Sequence, residues 1–500
     1  MVMLTDIQKE QLVTLGIEEK QIEYQISNFK VGFSNANLLK PAIINDGILK
    51  PSEQELDHWI KLYDDYSKSA NIIKFVPASG AASRMFKSLF EFLNKPTDFG
   101  EVSLLLQNIE KFAFFDELNK VFGKKNMDLR KQMKEVKADE IIRAMLYDEG
   151  LNYGNLPKGL LKFHKYPEGA RTSVEEHVVE GLKYALGKES LNLHFTISPE
   201  HEKFFKEEFA KILKLYVNYK ISISYSFQKK STDTIAVDMN NNPLLDNDGK
   251  FVFRPGGHGA LLDNLNDLNA DLIFIKNIDN VVPDYLKQPT IRYKKALAGI
   301  VVELKQQIKD IINYLDLNNT YSAQRKQEIS QFVEKYIGLK IPDGIDDAVY
   351  ADYIRSILDK PIRVCGMVKN IGEPGGGPFW TLNRKNEPSL QIIESSQVNM
   401  NDDKQKSIFN EASHFNPVDL VCSTKDYLGH KFNLFKYRDP DTGFISEKST
   451  VGKKLKALEL PGLWNGSMAH WITVFVEVPI ETFNPVKTFT DWLRKEHQPI

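Results

Sequence analysis

The chain has 500 residues, long enough for two or three packed units with a sizeable core. Lys and Arg total 65 against 67 Asp and Glu, a net charge of −2, and 42% of the residues are apolar, so the composition is that of an ordinary globular protein with no overall pull toward nucleic acid or anionic lipid. Two cysteines, Cys365 and Cys422, exclude a disulfide framework; with no signal-peptide pattern and no run of about 18 apolar residues, a cytoplasmic location without a membrane partner is expected.

Residues 1–70 carry helical spacing, with Ile7, Leu12, Leu15 and Ile17 and then Ile22, Ile26 and Phe29 on one face, and are expected to form an N-terminal helical extension. The period changes at residues 72–77, a β-branched run that stops in Ala78, Ser79, Gly80, Ala81, Ala82, Ser83 and Arg84 and leads into a helical pattern from Met85. Residues 91–150 read as a helical insertion. A strand over residues 193–197 ends at Ser198 and Pro199, an N-cap followed by a first-turn proline. A buried strand over residues 271–276 runs into Asn277, Ile278, Asp279 and Asn280. Residues 290–360 form a second helical insertion, residues 361–480 mix strands with Gly/Pro-rich turns, and residues 481–500 make a C-terminal segment. Strands alternating with helices predict an α/β fold over residues 71–480, a three-layer arrangement with a mainly parallel mixed sheet flanked by helices.

Ligands of open α/β sheets sit beyond the carboxyl ends of the strands, and two candidate sites lie there. In residues 78–84 the small side chains let a phosphate approach the backbone, the following helix start presents N–H groups, and Arg84 adds a forked cation; the same residues also build a plain small-residue turn. Asp279 at a strand end suits Mg²⁺, which takes one or two protein oxygens and completes its shell from phosphates, and it equally suits an Asx turn that ends a strand. Gly256, Gly257, His258 and Gly259 are too glycine-dense for a strand or helix interior, so they form a shaped loop that either admits a base or sugar edge or makes a hairpin turn.

Taken in order, these segments resemble the UTP-dependent sugar-1-phosphate uridylyltransferases, the UDP-glucose and UDP-N-acetylhexosamine pyrophosphorylase group with a GT-A-like nucleotidyltransferase fold. Residues 75–85 look like the family's glycine-rich nucleotide loop, with Ser79, Ala81 and Ala82 where it has further glycines and Ser83 where it has threonine. Pro157, Lys158 and Gly159 look like its Pro-Lys-Gly signature, and residues 198–201 like a strand-end loop before a helix. Gln228, followed by residues 234–236 and 248–250, resembles a block whose glutamine addresses uracil. Residues 255–260 and 277–280 are similar to its Pro-Gly-His-Gly run and metal-binding Asp-Asn, and residues 483–488 to its Phe-x-Pro-Val-Lys-Thr element.

The resemblance implies a transfer from a nucleoside triphosphate, UTP favoured, to a sugar-1-phosphate, with Mg²⁺ or Mn²⁺ as cofactor. It implies catalytic roles for Arg84, Lys158 and Lys487, nucleotide contacts from Ala78, Ser79, Gly80, Ala81, Ser83, Gln228, Gly256 and Gly257, and metal binding by Asp279. Sugar contacts are implied for His258, Gly366, Glu373, Glu394 and Asn416, with Asp419 as a further polar candidate. The rival readings are a non-catalytic nucleotide-sugar-binding protein and a glycosyltransferase of the same fold; the latter is disfavoured because its Asp-x-Asp metal motif is replaced here by residues 277–280.

Overall fold

The computed structural model describes residues 4–95, 99–124, 127–132, 136–372, 375–383, 386–450 and 453–499. It is a mixed α/β protein whose chain divides into two compact units. The first comprises Met1–Tyr66, Phe227–Ile273 and Ala296–Val478, and the second Ser67–Ser226, Phe274–Lys295 and Pro479–Ile500. Among the described residues, no helix is long and apolar enough to cross a membrane.

In the first unit the main sheet runs Ile43–Ile44, Gly47–Leu49, Ile472–Glu477, Ile362–Lys369, Asp419–Ser423. Ile362–Lys369 is parallel to Ile472–Glu477 and antiparallel to Asp419–Ser423, so the sheet is mixed. Its central strand, Ile362–Lys369, is buried at every position but the last, as in a strand whose two faces are both covered. The N-terminal stretch forms the helices Asp6–Leu15, Glu19–Val31 and Glu53–Ser67, and also three short strands, among them Leu38–Pro41, that the helical spacing does not reveal. Leu12, Ile17, Ile22, Ile26 and Phe29 pack on Ile235, Val237, Phe251 and Leu458, whereas Ile7, expected on the same face, is exposed. Residues 290–360 are helical as expected, in Lys287–Leu317, Ala323–Ile337 and Asp347–Leu358.

In the second unit the strand order is residues 274–276, Ile72–Pro77, Ser190–Ile197, Leu186–Gly187. Ile72–Pro77 and Ser190–Ile197 are parallel, with Lys74 opposite Leu193 and Pro77 opposite Thr196. The helical stretch over residues 91–150, which includes Gly100–Gln107, Phe115–Gly123 and Ala138–Leu146, closes an aromatic core. Trp492 from the C-terminal segment sits at its centre, its ring 6.2 Å from Phe86 and 5.9 Å from Phe114.

Two sets of ionisable groups are buried in this unit, both organised by the helix Ser173–Tyr184. Glu180 accepts hydrogen bonds from Lys276 Nζ at 2.9 Å and Lys74 Nζ at 3.2 Å, and Lys74 also donates to the His177 carbonyl at 2.8 Å. Burial alone would raise the Glu180 carboxyl, but Lys276 and Lys74 hold it well below the usual carboxylate range. Burial pushes Lys74 down to about 7, with Lys276 adding to the shift and Glu180 opposing it. One turn earlier Glu176 meets Lys287 Nζ at 2.6 Å, Tyr166 Oη at 2.7 Å and His164 Nδ1 at 3.0 Å. His164 Nε2 lies 2.9 Å from His497 Nδ1. Against the cost of burial, Lys287 and His164 hold Glu176 down to about 2, while burial and then His164 push His497 down to about 3.

Glu180→Ala is expected to destabilise the chain by about 3–5 kcal/mol in urea unfolding, because it leaves two buried ammonium groups without their carboxylate. Stability should also fall with pH. The folded values of His497, His164 and Glu176 lie below the unfolded ones, so the unfolded chain binds more protons in acid. The histidine contribution is complete above about pH 6.5 and disappears toward about pH 3; that of Glu176 is lost between about 4.5 and about 2. Unfolding at pH 5 and pH 7 should show the loss, and His497→Phe should reduce its slope.

Candidate functional site

The strand Ile72–Pro77 ends in a loop of small residues that leads into a 3₁₀ turn, Ala82–Phe86, and then the helix Lys87–Asn94. The loop is fixed from both sides. Ala78 N–H donates to the Thr196 carbonyl at 2.9 Å, Ser198 Oγ donates to the Ser79 carbonyl at 3.2 Å, and Lys158 N–H donates to the Gly80 carbonyl at 3.3 Å. Ala81 and Pro157 form an antiparallel bridge, and Ala82 N–H donates to Leu156. No residue of this loop has a positive φ, so Ser79, Ala81 and Ala82, which the resemblance sets against glycines, stand there without backbone strain. The space a Cβ would take at Gly80 is open, and Gly80, Ala81, Ser83 and Arg84 are exposed. Arg84 makes no ion pair among the described residues, so its guanidinium is uncommitted.

Lys158 opens a 3₁₀ turn, Lys158–Leu160, in which Gly159 is buried: a Cβ there would lie 3.1 Å from Val174, 3.3 Å from Phe205 and 3.4 Å from Ile278. The glycine of the Pro-Lys-Gly signature thus lets this turn approach the Ser173–Tyr184 helix closely. Lys158 Nζ donates to Asp279 Oδ2 and to the Val486 carbonyl, both at 2.9 Å. The pair is four-fifths buried, with side-chain exposures of 16% and 19%.

Asp279 lies in a turn closed by Asn280 N–H on the Asn277 carbonyl, and the C-terminal segment is stitched onto that turn. Asn280 Nδ2 donates to Thr482, Asn280 Oδ1 accepts from Asn484 N–H at 2.9 Å, Asn280 bridges Pro485, and Val486 N–H donates to the Asp279 carbonyl at 3.1 Å. Lys487 follows directly, its Nζ 5.7 Å from the Phe483 ring centroid. From beneath, Ser173 Oγ and His177 Nε2 hold the Ile278 carbonyl. Four segments far apart in sequence therefore meet in the second unit: residues 78–84, 157–159, 279–280 and 485–487. Among the described residues no cluster of three or more His, Cys, Asp or Glu side chains is poised to bind a metal. Asp279 supplies a single carboxylate, a donor set that fits Mg²⁺ only if phosphate and water oxygens complete its shell.

The remaining expected residues belong to the first unit. Gly257 has φ +75°, and a Cβ there would stand 2.7 Å from Glu459 Oε2; at Gly256 it would stand 2.5 Å from the Thr232 carbonyl, and at Gly259 it would run into that of Pro461. The glycine density of this loop is thus accounted for by its packing. His258 stacks on Trp464 with centroids 4.3 Å apart, and its Nδ1 accepts from Leu463 N–H at 3.0 Å. Desolvation pushes His258 down to about 4 against the pull of Glu459. Gln228 Nε2 reaches Asp233 Oδ1 at 3.4 Å. Gly366 is buried in its strand, with its carbonyl accepting from Asn416 Nδ2, whose Oδ1 accepts from Val418 N–H. Asp419 is buried at the start of its strand. Glu394 and Gln397 form the capping box of the 3₁₀ turn Ser395–Gln397; burial and Glu459 raise the Glu394 carboxyl. Glu373 lies outside the described residues.

Sequence reasoning missed the support of the site. Lys74 and Lys276 are charged residues inside two apolar strand runs, and that misfit is the signal that a buried carboxylate such as Glu180 must face them.

A family profile described as Domain of unknown function (DUF4301) matches residues 5–498. A search of curated proteins found no match. Among solved structures, a point variant of UDP-glucose pyrophosphorylase from Leishmania major is 13% identical with a TM-score of 0.44, covering 98% of this chain and 79% of its own. Another variant of that enzyme, in complex with UDP-glucose, is 12% identical with a TM-score of 0.43, covering 99% and 82%. UDP-glucose phosphorylase from Trypanosoma brucei is 13% identical with a TM-score of 0.43, covering 98% and 80%. At these scores the likeness does not extend to activity.

Gly159→Ala is expected to cost about 1–3 kcal/mol in urea unfolding, since its Cβ must displace three buried side chains. Arg84→Ala, at an exposed and unpaired position, should leave the unfolding midpoint within about 0.5 kcal/mol of the parent.

Proposed function

The chain belongs to the DUF4301 family, and from the geometry of its second unit we propose that it is a nucleotidyltransferase joining a nucleoside triphosphate to a sugar-1-phosphate. The observation that carries this reading is the contact of Lys158 Nζ with both Asp279 and the Val486 carbonyl, beside a strand-end loop with an uncommitted arginine. It gathers three cations and one carboxylate around an open backbone, the set needed to hold phosphates.

In the proposed reaction an oxygen of the sugar-1-phosphate attacks the α-phosphorus in line, the bond from that phosphorus to the β-bridging oxygen breaks, and pyrophosphate leaves with the electron pair. A phosphate monoester is mostly ionised above its second pKa of about 6, so no general base is needed. The protein contributes position and charge. Arg84 is assigned to the departing β- and γ-phosphates by its exposed fork, and Lys158 and Lys487 to the oxygens around the reacting phosphorus. Asp279 is the residue that would hold Mg²⁺, which when bound neutralises triphosphate charge. The hydrogen bonds that stitch residues 482–486 onto Asp279 and Asn280 set where Lys487 starts.

The test is pyrophosphate release from the purified chain with Mg²⁺, each of the four nucleoside triphosphates and a panel of sugar-1-phosphates. Release should require both substrates and fall about 10²- to 10³-fold in Lys158→Ala and Asp279→Ala, the scale for removing one preorganised charge. Nucleotide-sugar binding without release in the folded parent would replace this reading with a non-catalytic binding protein.

A further inference from the structure

The helix Glu202–Leu215 of the second unit buries Phe205, Glu208, Phe209 and Ile212, the spacing of one face, so its outer side is expected to be polar. At its carboxyl end it is not. Leu213 is 40% exposed and Leu215 67%, and in the loop that follows Val217 is 72% and Tyr219 52% exposed. Four large apolar side chains within seven residues are a patch gathered at one end of a helix, unlike the single exposed residues that any surface carries. The loop is held in place. Tyr216 Oη donates to Glu175 Oε1 at 3.1 Å, Tyr219 N–H donates to the Tyr216 carbonyl at 3.0 Å, and Leu191 N–H donates to the Lys220 carbonyl at 2.9 Å.

The charges at this tip are all of one sign. Residues 211–220 read Lys-Ile-Leu-Lys-Leu-Tyr-Val-Asn-Tyr-Lys, three lysines and no acid in a chain whose net charge is −2, so the overall balance conceals a locally basic segment. All three lysines are exposed; Lys211 reaches Glu208 Oε2 at 3.5 Å, and Lys214 and Lys220 make no ion pair among the described residues. Leucine, valine and tyrosine set between lysines suit a surface that dips its apolar side chains into a headgroup layer while its ammonium groups stay with the lipid phosphates. Protein-binding surfaces differ, because lysine is depleted there and leucine and valine are under-represented among the residues that carry the binding. We propose that the tip formed by residues 211–220 docks this chain on an anionic lipid bilayer. The Lys220 carbonyl lies at the start of the strand Ser190–Ile197, and the other end of that eight-residue strand leads into Ser198, which holds the Ser79 carbonyl. At about 3.3 Å per residue the strand separates the tip from the loop of residues 78–84 by about 25 Å, so docking leaves that loop open. The docking surface is independent of the reaction proposed above.

Cosedimentation of the full-length chain with vesicles of phosphatidylcholine alone, and of phosphatidylcholine mixed with phosphatidylserine, tests this. Binding to the mixed vesicles is expected, absent with the neutral ones and weakened by salt. Replacing Lys211, Lys214 and Lys220 by alanine should weaken it about fivefold for each lysine removed, Lys214→Arg should keep it, and Leu215→Ser with Val217→Ser should weaken it about tenfold. These positions are exposed, so the urea midpoint of each variant should match that of the parent. No binding to the mixed vesicles overturns the proposal, as does equal binding to both kinds of vesicle, or binding that withstands the lysine and the apolar substitutions alike. Retention on immobilised polyglutamate without vesicle binding overturns it in favour of an acidic protein partner. Pyrophosphate release enters none of these readouts, so failure here is distinguishable from failure of the proposed reaction.

Discussion

One carboxylate, that of Glu180, carries the architecture of the second unit. Two strands enter its core with a lysine each, Lys74 and Lys276, and both ammonium groups converge on it. Two buried cations against one anion are costly at full ionisation, and burial accordingly lowers the Lys74 ammonium while Glu180 opposes the shift. The consequence is geometric. The strands tied to the Ser173–Tyr184 helix in this way are the ones whose carboxyl ends carry residues 78–84 and the turn of Asp279. The same helix fastens the Ile278 carbonyl through Ser173 and His177. A buried charged core thus sets the position of the carboxyl end of these strands, as a site dependent on placement rather than on a reactive side chain requires.

The two glycine-bearing loops of the chain answer to different constraints. At residues 78–84 no left-handed conformation occurs and the space above Gly80 is open, so the small side chains keep a surface clear. At residues 256–259 the glycines are obligatory for packing, because Cβ atoms would meet Thr232, Glu459 and Pro461. His258 beside them is engaged with Trp464 and Leu463. Similar glycine content therefore has one cause that leaves room for a ligand and another that consumes the room.

Charge is distributed accordingly. In the second unit, the cations Arg84, Lys158 and Lys487 belong to segments that hydrogen bonds hold together around Asp279. In the first unit, a buried arginine orients neutral side chains, and Thr473 and Gln391, which it holds, line a cavity of mixed polar and apolar character.

Much of this was legible in order along the chain. The strand stops at Pro77 and Lys276, the helical stretches over residues 91–150 and 290–360, and the mixed α/β class follow from apolar period and from Gly, Pro and Asx punctuation, which act through local backbone geometry. The same local signals were blind to the short N-terminal strands such as Leu38–Pro41, which exist only because Gly377–Leu382 lies beside one of them, and to the exposure of Ile7. Glu394, a sugar contact only by resemblance, forms a local capping box with Gln397, a contact set by near neighbours in the chain. What the sequence by itself determined is which residues end each strand and what charge they bear, since both depend on near neighbours. Only the tertiary structure decided that Lys158, Asp279 and Val486 meet, that Glu180 faces lysines from two strands at once, and that Arg363 meets Thr473, because those contacts join residues 96 to 328 positions apart and form only when the core brings them within hydrogen-bond reach.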